Sequence, residues 1–396
     1  MATAPVYYPH TIFATRDSPT PRVMVAPPRY IQGPGVLAQT GKYLSLISAR
    51  RAVVLASARG HRAEAATVAD SLAQHQIESL ARVFNGECTL DEINQQVSEL
   101  ADQDIDCLLA VGGGKCVDAG KSIAHRLGVP VVIIPTLASN DAATSALSVL
   151  HTNEGVSMDA EFFPNNPAMV IMDTQVVAQA AERYIVAGMG DAMATWFEAR
   201  VCLNNPRALS TVGARPTLAS AAIGEVCAST LFSDGEAAAD AVRNNTVTEA
   251  LENVVEANTL LSGLGFESGG LAVAHGIANA YTAVHHVHAD YLHGEMVAMG
   301  TLAQLVMEGS DDASRTAEFF CRIGLPIHLG HLSMKPTDDE DLARVVAAAI
   351  ESGIVHNMPM AVTPESLRTA ILEADALGRE VSARLGDVAY QRLHKR

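Results

Sequence analysis

Five histidines, His275, His285, His286, His288 and His293, crowd into nineteen consecutive positions of this 396-residue chain. Imidazole is the most versatile metal ligand near neutral pH. His275 sits in the apolar context Leu271-Ala272-Val273-Ala274-His275-Gly276-Ile277, where a ring without a partner would cost free energy. His293 precedes Gly294-Glu295 at the start of a helix-like run, so capping is its plainer reading. Asp191, in Gly188-Met189-Gly190-Asp191-Ala192, is expected in the first turn of a long helix, as a cap or as a ligand. Two imidazoles and one carboxylate would leave an open position on a zinc ion for water or substrate, the arrangement of a catalytic site.

A second kind of chemistry is suggested by Gly112-Gly113-Gly114-Lys115-Cys116-Val117-Asp118. The apolar run Cys107 to Val111 precedes it and a helix-like stretch follows, so a strand delivers three glycines to a helix N-terminus. Backbone N–H groups and the positive helix end there would attract a phosphate. Val117 stands where G-x-G-x-x-G needs its third glycine, and the spacing is not that of a P-loop. A phosphate cradle and a plain tight turn both remain open. The run Pro135 to Ser145 leaves the next strand with Thr136, Ser139, Asp141, Thr144 and Ser145, and ligands gather beyond the carboxyl ends of parallel strands. There, Asp141 is either a site carboxylate or a helix N-cap.

These residues need elements to hold them. Between 51 and 175, runs such as Ala52-Val53-Val54-Leu55, Cys107 to Val111, Val129 to Ile134 and Met169 to Met172 alternate with Ala-rich amphipathic stretches. That rhythm predicts a parallel sheet with helices on its faces. Beyond about 185 the stretches 191–203, 216–232, 246–262, 291–308 and 340–353 all carry helical periodicity. We therefore read residues 1–28 as an extension of loose composition, 29–185 as an α/β nucleotide-binding domain and 186–396 as an all-α domain for metal and substrate, with a cleft between the last two.

Composition narrows the function. The hydrophobic content of 48% can fill large cores, and the formal charge of −17 leaves no basic excess for a nucleic-acid partner. No apolar run reaches a membrane span and no secretory signal is evident, so a cytoplasmic protein is expected. The Pro-, Thr- and Ala-rich start leaves organelle targeting as the second reading. Six scattered cysteines without a C-x-x-C pair suit free thiols in a reducing compartment. Cys116, beside the glycine turn, would be oxidisable if its pKa were lowered there.

Taken together, Arg29 to Gly33, Phe84 to Cys88, the Gly112 to Lys121 turn, Pro135 to Val149, Gly188 to Arg200, Ala274-His275 with Asn279, and His293-Gly294-Glu295 resemble the glycerol dehydrogenase branch of the metal-dependent polyol and iron-containing alcohol dehydrogenase superfamily. The resemblance implies a Rossmann-like domain followed by a helical domain, the fold of dehydroquinate synthase. It implies Asp191, His275 and His293 as metal ligands, with Asp141 contacting substrate. By the same resemblance Gly112, Gly113, Gly114, Lys115 and Asp118 line the nucleotide phosphates, and Thr136, Ser139, Ser145, Leu147 and Val149 meet the nucleotide further along. The implied reaction is reversible hydride transfer between the secondary hydroxyl of glycerol or a related vicinal diol and NAD(P), giving dihydroxyacetone or a hydroxyketone. A homo-oligomer is implied as well.

Departures from the family pattern sharpen these expectations. Iron-containing relatives carry a further histidine where this chain has Thr195, which favours zinc over iron. The first nucleotide-domain strand ends Val54-Leu55-Ala56-Ser57-Ala58-Arg59 without the aspartate that would exclude a 2′-phosphate, so Ser57 and Arg59 raise NADP beside NAD. His151 replaces a common tyrosine beside the nucleotide, and Ala278 a common histidine. A dehydroquinate synthase-type lyase is the rival reading, disfavoured because no Lys and Arg cluster awaits a phosphorylated acid. A dehydrogenase of another small alcohol or hydroxyacid is the nearer alternative.

Overall fold

The computed structural model describes residues 7–14, 19–153, 155–337 and 339–395. Eight strands are present among them: β1 (Tyr30–Gly33), β2 (Arg51–Ala56), β3 (Glu78–Val83), β4 (Cys107–Gly112), β5 (Val131–Pro135), β6 (Leu147–His151), β7 (Ser157–Phe162) and β8 (Met169–Asp173). Six form one sheet in the order β1-β8-β5-β4-β2-β3, every pair parallel. The apolar runs are nearly continuous because both faces are covered. Val54, Leu109, Ile134 and Ile171 pack on one face, and Val53, Leu108, Ile133 and Val170 on the other. The edge strand β3 alternates exposed and half-buried residues, a weaker pattern than its neighbours show. Strands β6 and β7 make a separate antiparallel hairpin.

A helical half follows, opening with the long Glu182–Asn204 helix. Helices Leu218–Arg243, Val273–Tyr281, His293–Met307, Asp312–Ile323, Asp339–Glu351 and Pro364–Leu385 surround it. Their apolar faces merge into one core that includes Phe197, Leu231, Tyr281, Leu302, Phe319 and Ile371. The α/β sheet followed by a helical domain is the architecture expected from the sequence. Of the N-terminal extension, residues 1–6 and 15–18 lie outside the described residues; further along, Val25 N–H donates to Ser268 Oγ at 3.1 Å.

Asp191 is placed differently from the sequence reading. The helix starts at Glu182, so Asp191 lies well inside it and caps nothing. Gly188 and Gly190, within that helix, are contact points. A Cβ on Gly188 would stand 2.0 Å from the carbonyl oxygen of Ala138, and one on Gly190 would stand 2.3 Å from that of Gly294. The stretch read as one helix over 246–262 is also interrupted: Glu249–Glu256 passes into a π-helical turn, Ala257–Leu261, and resumes as Ser262–Gly269.

That π turn ties the two halves together. Asn258, wholly buried, donates to the carbonyl oxygens of Ala138 at 3.0 Å and Ile185 at 3.1 Å. Tyr30 and Thr259 share a hydroxyl–hydroxyl bond of 2.7 Å. Extra residues in a helix are a common way to re-aim side chains at functional sites, and here they aim polar groups at the sheet's carboxyl edge. Among the described residues no helix is long and apolar enough to cross a membrane.

Candidate active site

Three helices bring the presumed metal ligands to one point. Asp191 comes from within Glu182–Asn204, His275 from Val273–Tyr281, and His293 is the first residue of His293–Met307. The first and third of these helices touch backbone to backbone, since a Cβ on Gly294 would lie 1.8 Å from the Ala187 carbonyl oxygen. Only that close approach lets a side chain as short as aspartate reach both imidazoles. His275 Nε2 stands 3.3 Å and His293 Nε2 3.5 Å from Asp191 Oδ1. His293 is not a cap; Glu295 takes that task by accepting the Leu292 N–H at 2.8 Å.

The donor set fits a divalent cation. Asp191 is fully buried and its Oδ1 has no hydrogen-bond partner, an arrangement that costs free energy unless a positive charge answers it. One ligand atom from each of the three residues lies within 4.8 Å of the others. The second nitrogen of His275 is occupied: Nδ1 lies 2.5 Å from Glu198 Oε2. Glu198 Oε1 also accepts the N–H groups of Ala272 at 2.7 Å and His275 at 2.9 Å. A carboxylate that accepts a hydrogen bond from Nδ1–H keeps the proton on that nitrogen and leaves the Nε2 lone pair facing Asp191, the orientation ligation needs.

The charges of the group are coupled. Burial disfavours the charged His275 ring, yet Glu198 and Asp191 outweigh it and hold its pKa well above the usual value. Burial lowers that of His293. Burial alone would raise Asp191, but His293 and His275 bring it below the ordinary carboxylate range. Asp141 goes the other way, raised by burial and then by the charge of Asp191.

Asp141 caps no helix either. Its N–H donates to Asp191 Oδ2 at 3.3 Å and its own Oδ2 accepts from Ser262 Oγ at 2.9 Å. Ser262 in turn meets Thr195 Oγ1 at 3.0 Å. Thr195, wholly buried, therefore braces Asp141 through Ser262. Neither Ser262 nor Glu198 emerged from the sequence. Glu198 left one trace, an acid two helical turns after Asp191 in an otherwise small and apolar stretch.

Comparison with known proteins now decides the family. The model of iron-containing alcohol dehydrogenases matches residues 27–174. Glycerol dehydrogenase of Citrobacter freundii is 42% identical over 366 residues, covering 92% of this chain and 100% of that protein. The chain belongs to the iron-containing alcohol dehydrogenase family, in its glycerol dehydrogenase branch. Glycolaldehyde reductase of Halobacterium salinarum is 40% identical over 365 residues, 91% of this chain and 99% of that protein. The crystal structure of glycerol dehydrogenase from Schizosaccharomyces pombe superimposes with a TM-score of 0.88 at 37% identity, covering 92% of this chain and 93% of that one. As a family member, the chain is a metal-dependent oxidoreductase acting on CH–OH donors.

The residues expected to meet the nucleotide gather at the carboxyl edge of β2, β4 and β5. Gly112 ends β4 opposite Pro135 of β5, and Gly113 is the N-cap of the Gly114–Leu127 helix. Thr136 N–H donates to the Gly112 carbonyl at 3.0 Å, and Ser139 follows half-buried. Lys115 is held by Glu87 at 2.5 Å, and the same carboxylate lies 3.3 Å from His151 Nδ1. Asp118 pairs with Lys121 at 2.9 Å and accepts the Val149 N–H at 3.1 Å. Lys121 also donates to Ser145 Oγ at 3.3 Å and to the Leu147 carbonyl oxygen.

Ser57 and Arg59 do not stand free. Ser57 Oγ accepts the Gly60 N–H at 3.1 Å, and Arg59 pairs with Glu64 at 3.2 Å. Cys116 departs from the notion of an oxidisable thiol, since burial pushes its pKa up to about 12. All six cysteines are buried and unpaired.

Proposed function

We propose that this protein transfers a hydride between the secondary hydroxyl of glycerol, or of a related vicinal diol, and a nicotinamide dinucleotide, in either direction. The observation that carries the reading is the unpartnered Asp191 Oδ1 between two imidazole nitrogens, with Asp141 adjoining. Asp191, His275 and His293 would hold a divalent ion. When bound there, such an ion supplies the Lewis acidity that makes an alcohol acidic near neutral pH. Zinc suits two nitrogens and one oxygen. Thr195, with its hydroxyl committed to Ser262, supports the three-ligand zinc reading over iron.

The chain's own groups do the rest. Asp141, braced by Ser262, is suited to hold the neighbouring hydroxyl of a diol and so to orient the carbon that loses hydride. The backbone amides at the start of Gly114–Leu127 would receive the pyrophosphate. Glu87 fixes Lys115 and His151 beside that turn.

The Arg59–Glu64 pair favours NAD, because a 2′-phosphate would have to compete with Glu64 for the guanidinium. Reduction of a hydroxyaldehyde uses the same groups, and the likeness to a glycolaldehyde reductase supports including it. Homo-oligomerisation belongs to this proposal as well.

A panel of glycerol, 1,2-propanediol, 1,2-ethanediol and simple monoalcohols, run on zinc-replete protein with NAD and NADP, tests the reading. Diols should turn over and their monoalcohol counterparts should be at least about tenfold poorer, since one bound hydroxyl is missing. Equal rates would remove the role given to Asp141. Zinc content before and after mild chelation, measured with turnover, tests the ligand set.

A further inference from the structure

The described residues hold a second group of metal-ligating side chains, which none of the chemistry above uses. His328 is the N-cap of a short 3-10 turn, Leu329–Leu332, that contains His331. A 3-10 turn has three residues per turn, so side chains at i and i+3 eclipse. The two imidazoles accordingly lie against each other, with centroids 3.7 Å apart and their planes tilted by 32°. Asp387, just before the Val388–Leu393 helix, brings its Oδ2 to 3.5 Å from His331 Nε2. One ligand atom from each of the three lies within 4.8 Å of the others. His328 is only 9% exposed, and its Nδ1 has no hydrogen-bond partner.

We propose that His328, His331 and Asp387 bind a second zinc ion, which clasps the C-terminal helix to the helical half. Two nitrogens and one carboxylate oxygen suit zinc with a water in the fourth position.

The surroundings hold the ligands in position. Ser382 Oγ lies 2.7 Å from each carboxylate oxygen of Asp387, and Tyr390 stacks on His331 at 3.8 Å. Asp375, paired with Arg379 at 2.8 Å, accepts the Leu329 N–H at 2.8 Å and so fixes the turn. Such outer partners raise affinity by keeping ligands oriented.

One contact opposes the ion. The Ile327 N–H approaches His331 Nδ1 at 3.4 Å, and ligation through Nε2 would put a proton on that nitrogen. At 3.4 Å this is a long hydrogen bond, of small value. Without a metal, the same residues would be two packed rings beside a carboxylate, and that is the competing account.

Tyr390 also stacks on His394 at 4.1 Å, and His394 Nε2 lies 2.9 Å from Glu295 Oε1. The clasp is thus linked by contact to the first turn of His293–Met307.

The test is zinc stoichiometry of the full chain, equilibrated in zinc-buffered solution and measured by plasma mass spectrometry. Wild type should hold two equivalents. His331→Phe, which keeps an aromatic ring against Tyr390, should hold one, with turnover within about twofold of wild type because no reacting group is touched. Asp387→Asn, at a partly exposed position, should also hold one and covers the case in which the first variant fails to fold. His275→Ala should lose the other equivalent and all turnover, which separates failure of this site from failure of the catalytic one. A single equivalent in wild type that disappears with His275→Ala overturns the proposal. Two equivalents retained in both His331→Phe and Asp387→Asn overturn it equally.

Discussion

Glu198→Gln should separate metal affinity from folding. The wild-type carboxylate is fully buried and accepts three hydrogen bonds, from the N–H groups of Ala272 and His275 and from His275 Nδ1. Glutamine has the same shape, and its carbonyl oxygen can keep both backbone donors. Its amide nitrogen then faces Nδ1 and donates to it, which forces the imidazole proton onto Nε2. That is the nitrogen 3.3 Å from Asp191, so the lone pair needed for ligation is lost from the site. Outer-sphere losses of this kind cost about 10–100-fold in metal affinity, or roughly 1.4–2.7 kcal/mol.

Glu198→Ala differs, because it leaves two buried N–H groups and a ring nitrogen without partners. Three charge-assisted bonds at about 1.5–3 kcal/mol each point to a loss on the order of 5 kcal/mol, enough to unfold a domain of ordinary stability. The assay is zinc competition with a chromophoric chelator, paired with thermal melting of the zinc-free protein. The glutamine variant should melt near wild type yet release zinc readily. If it holds zinc as tightly as wild type, the tautomer argument is wrong and Glu198 is only a packing residue.

Ser262→Ala removes the hydroxyl that braces Asp141 and should lower kcat/KM for glycerol by about tenfold, with zinc content unchanged; a variant that instead loses zinc would assign Ser262 to the metal group. Glu64→Ala frees Arg59, whose side chain is 70% exposed. Because such a pair is worth at most about 1 kcal/mol, the NADP to NAD ratio of kcat/KM should rise by no more than roughly fivefold, and a fall would refute the masking role.

Burial raises the Glu267 pKa from 4.5 to about 7. The folded state thus holds a proton that the unfolded state has lost, and this contribution to stability is full below about pH 4.5 and disappears as pH rises through about 7. Glu267→Gln should flatten that decline, on the order of 3 kcal/mol, in urea titrations at pH 5 and pH 8. An unchanged difference between the two pH values would contradict the assignment.

The core strands were legible because parallel strands buried on both faces must be apolar along their whole length. Runs 52–55, 107–111, 129–134 and 169–172 became β2, β4, β5 and β8 in this way. The edge strands β1 and β3 carry too little apolar signal for that rule, and the β6–β7 hairpin lies apart from the main sheet. In the helical half, periodicity found the helices but misjudged their ends. Asp191 was expected in a first turn, when it lies well inside its helix, because a sequence does not say which backbone will press against Gly188 and Gly190. The π turn at Ala257–Leu261 had no signature at all, since it exists to satisfy Asn258 and Thr259 against another domain.

The sequence by itself supplied the candidate donors: two imidazoles, a carboxylate, an adjoining aspartate and a glycine turn, residue types that carry their chemistry wherever they are placed. Tertiary structure decided how each donor is presented. Glu198 selects the His275 nitrogen, Ser262 and Thr195 orient Asp141, and Glu64 pairs with the arginine that the strand-end sequence had left available for a phosphate. Those partners are 77, 121 and 5 residues from the groups they control. Hydrogen bonds and ion pairs act over a few ångströms of space rather than along the chain, so only the folded molecule could reveal them.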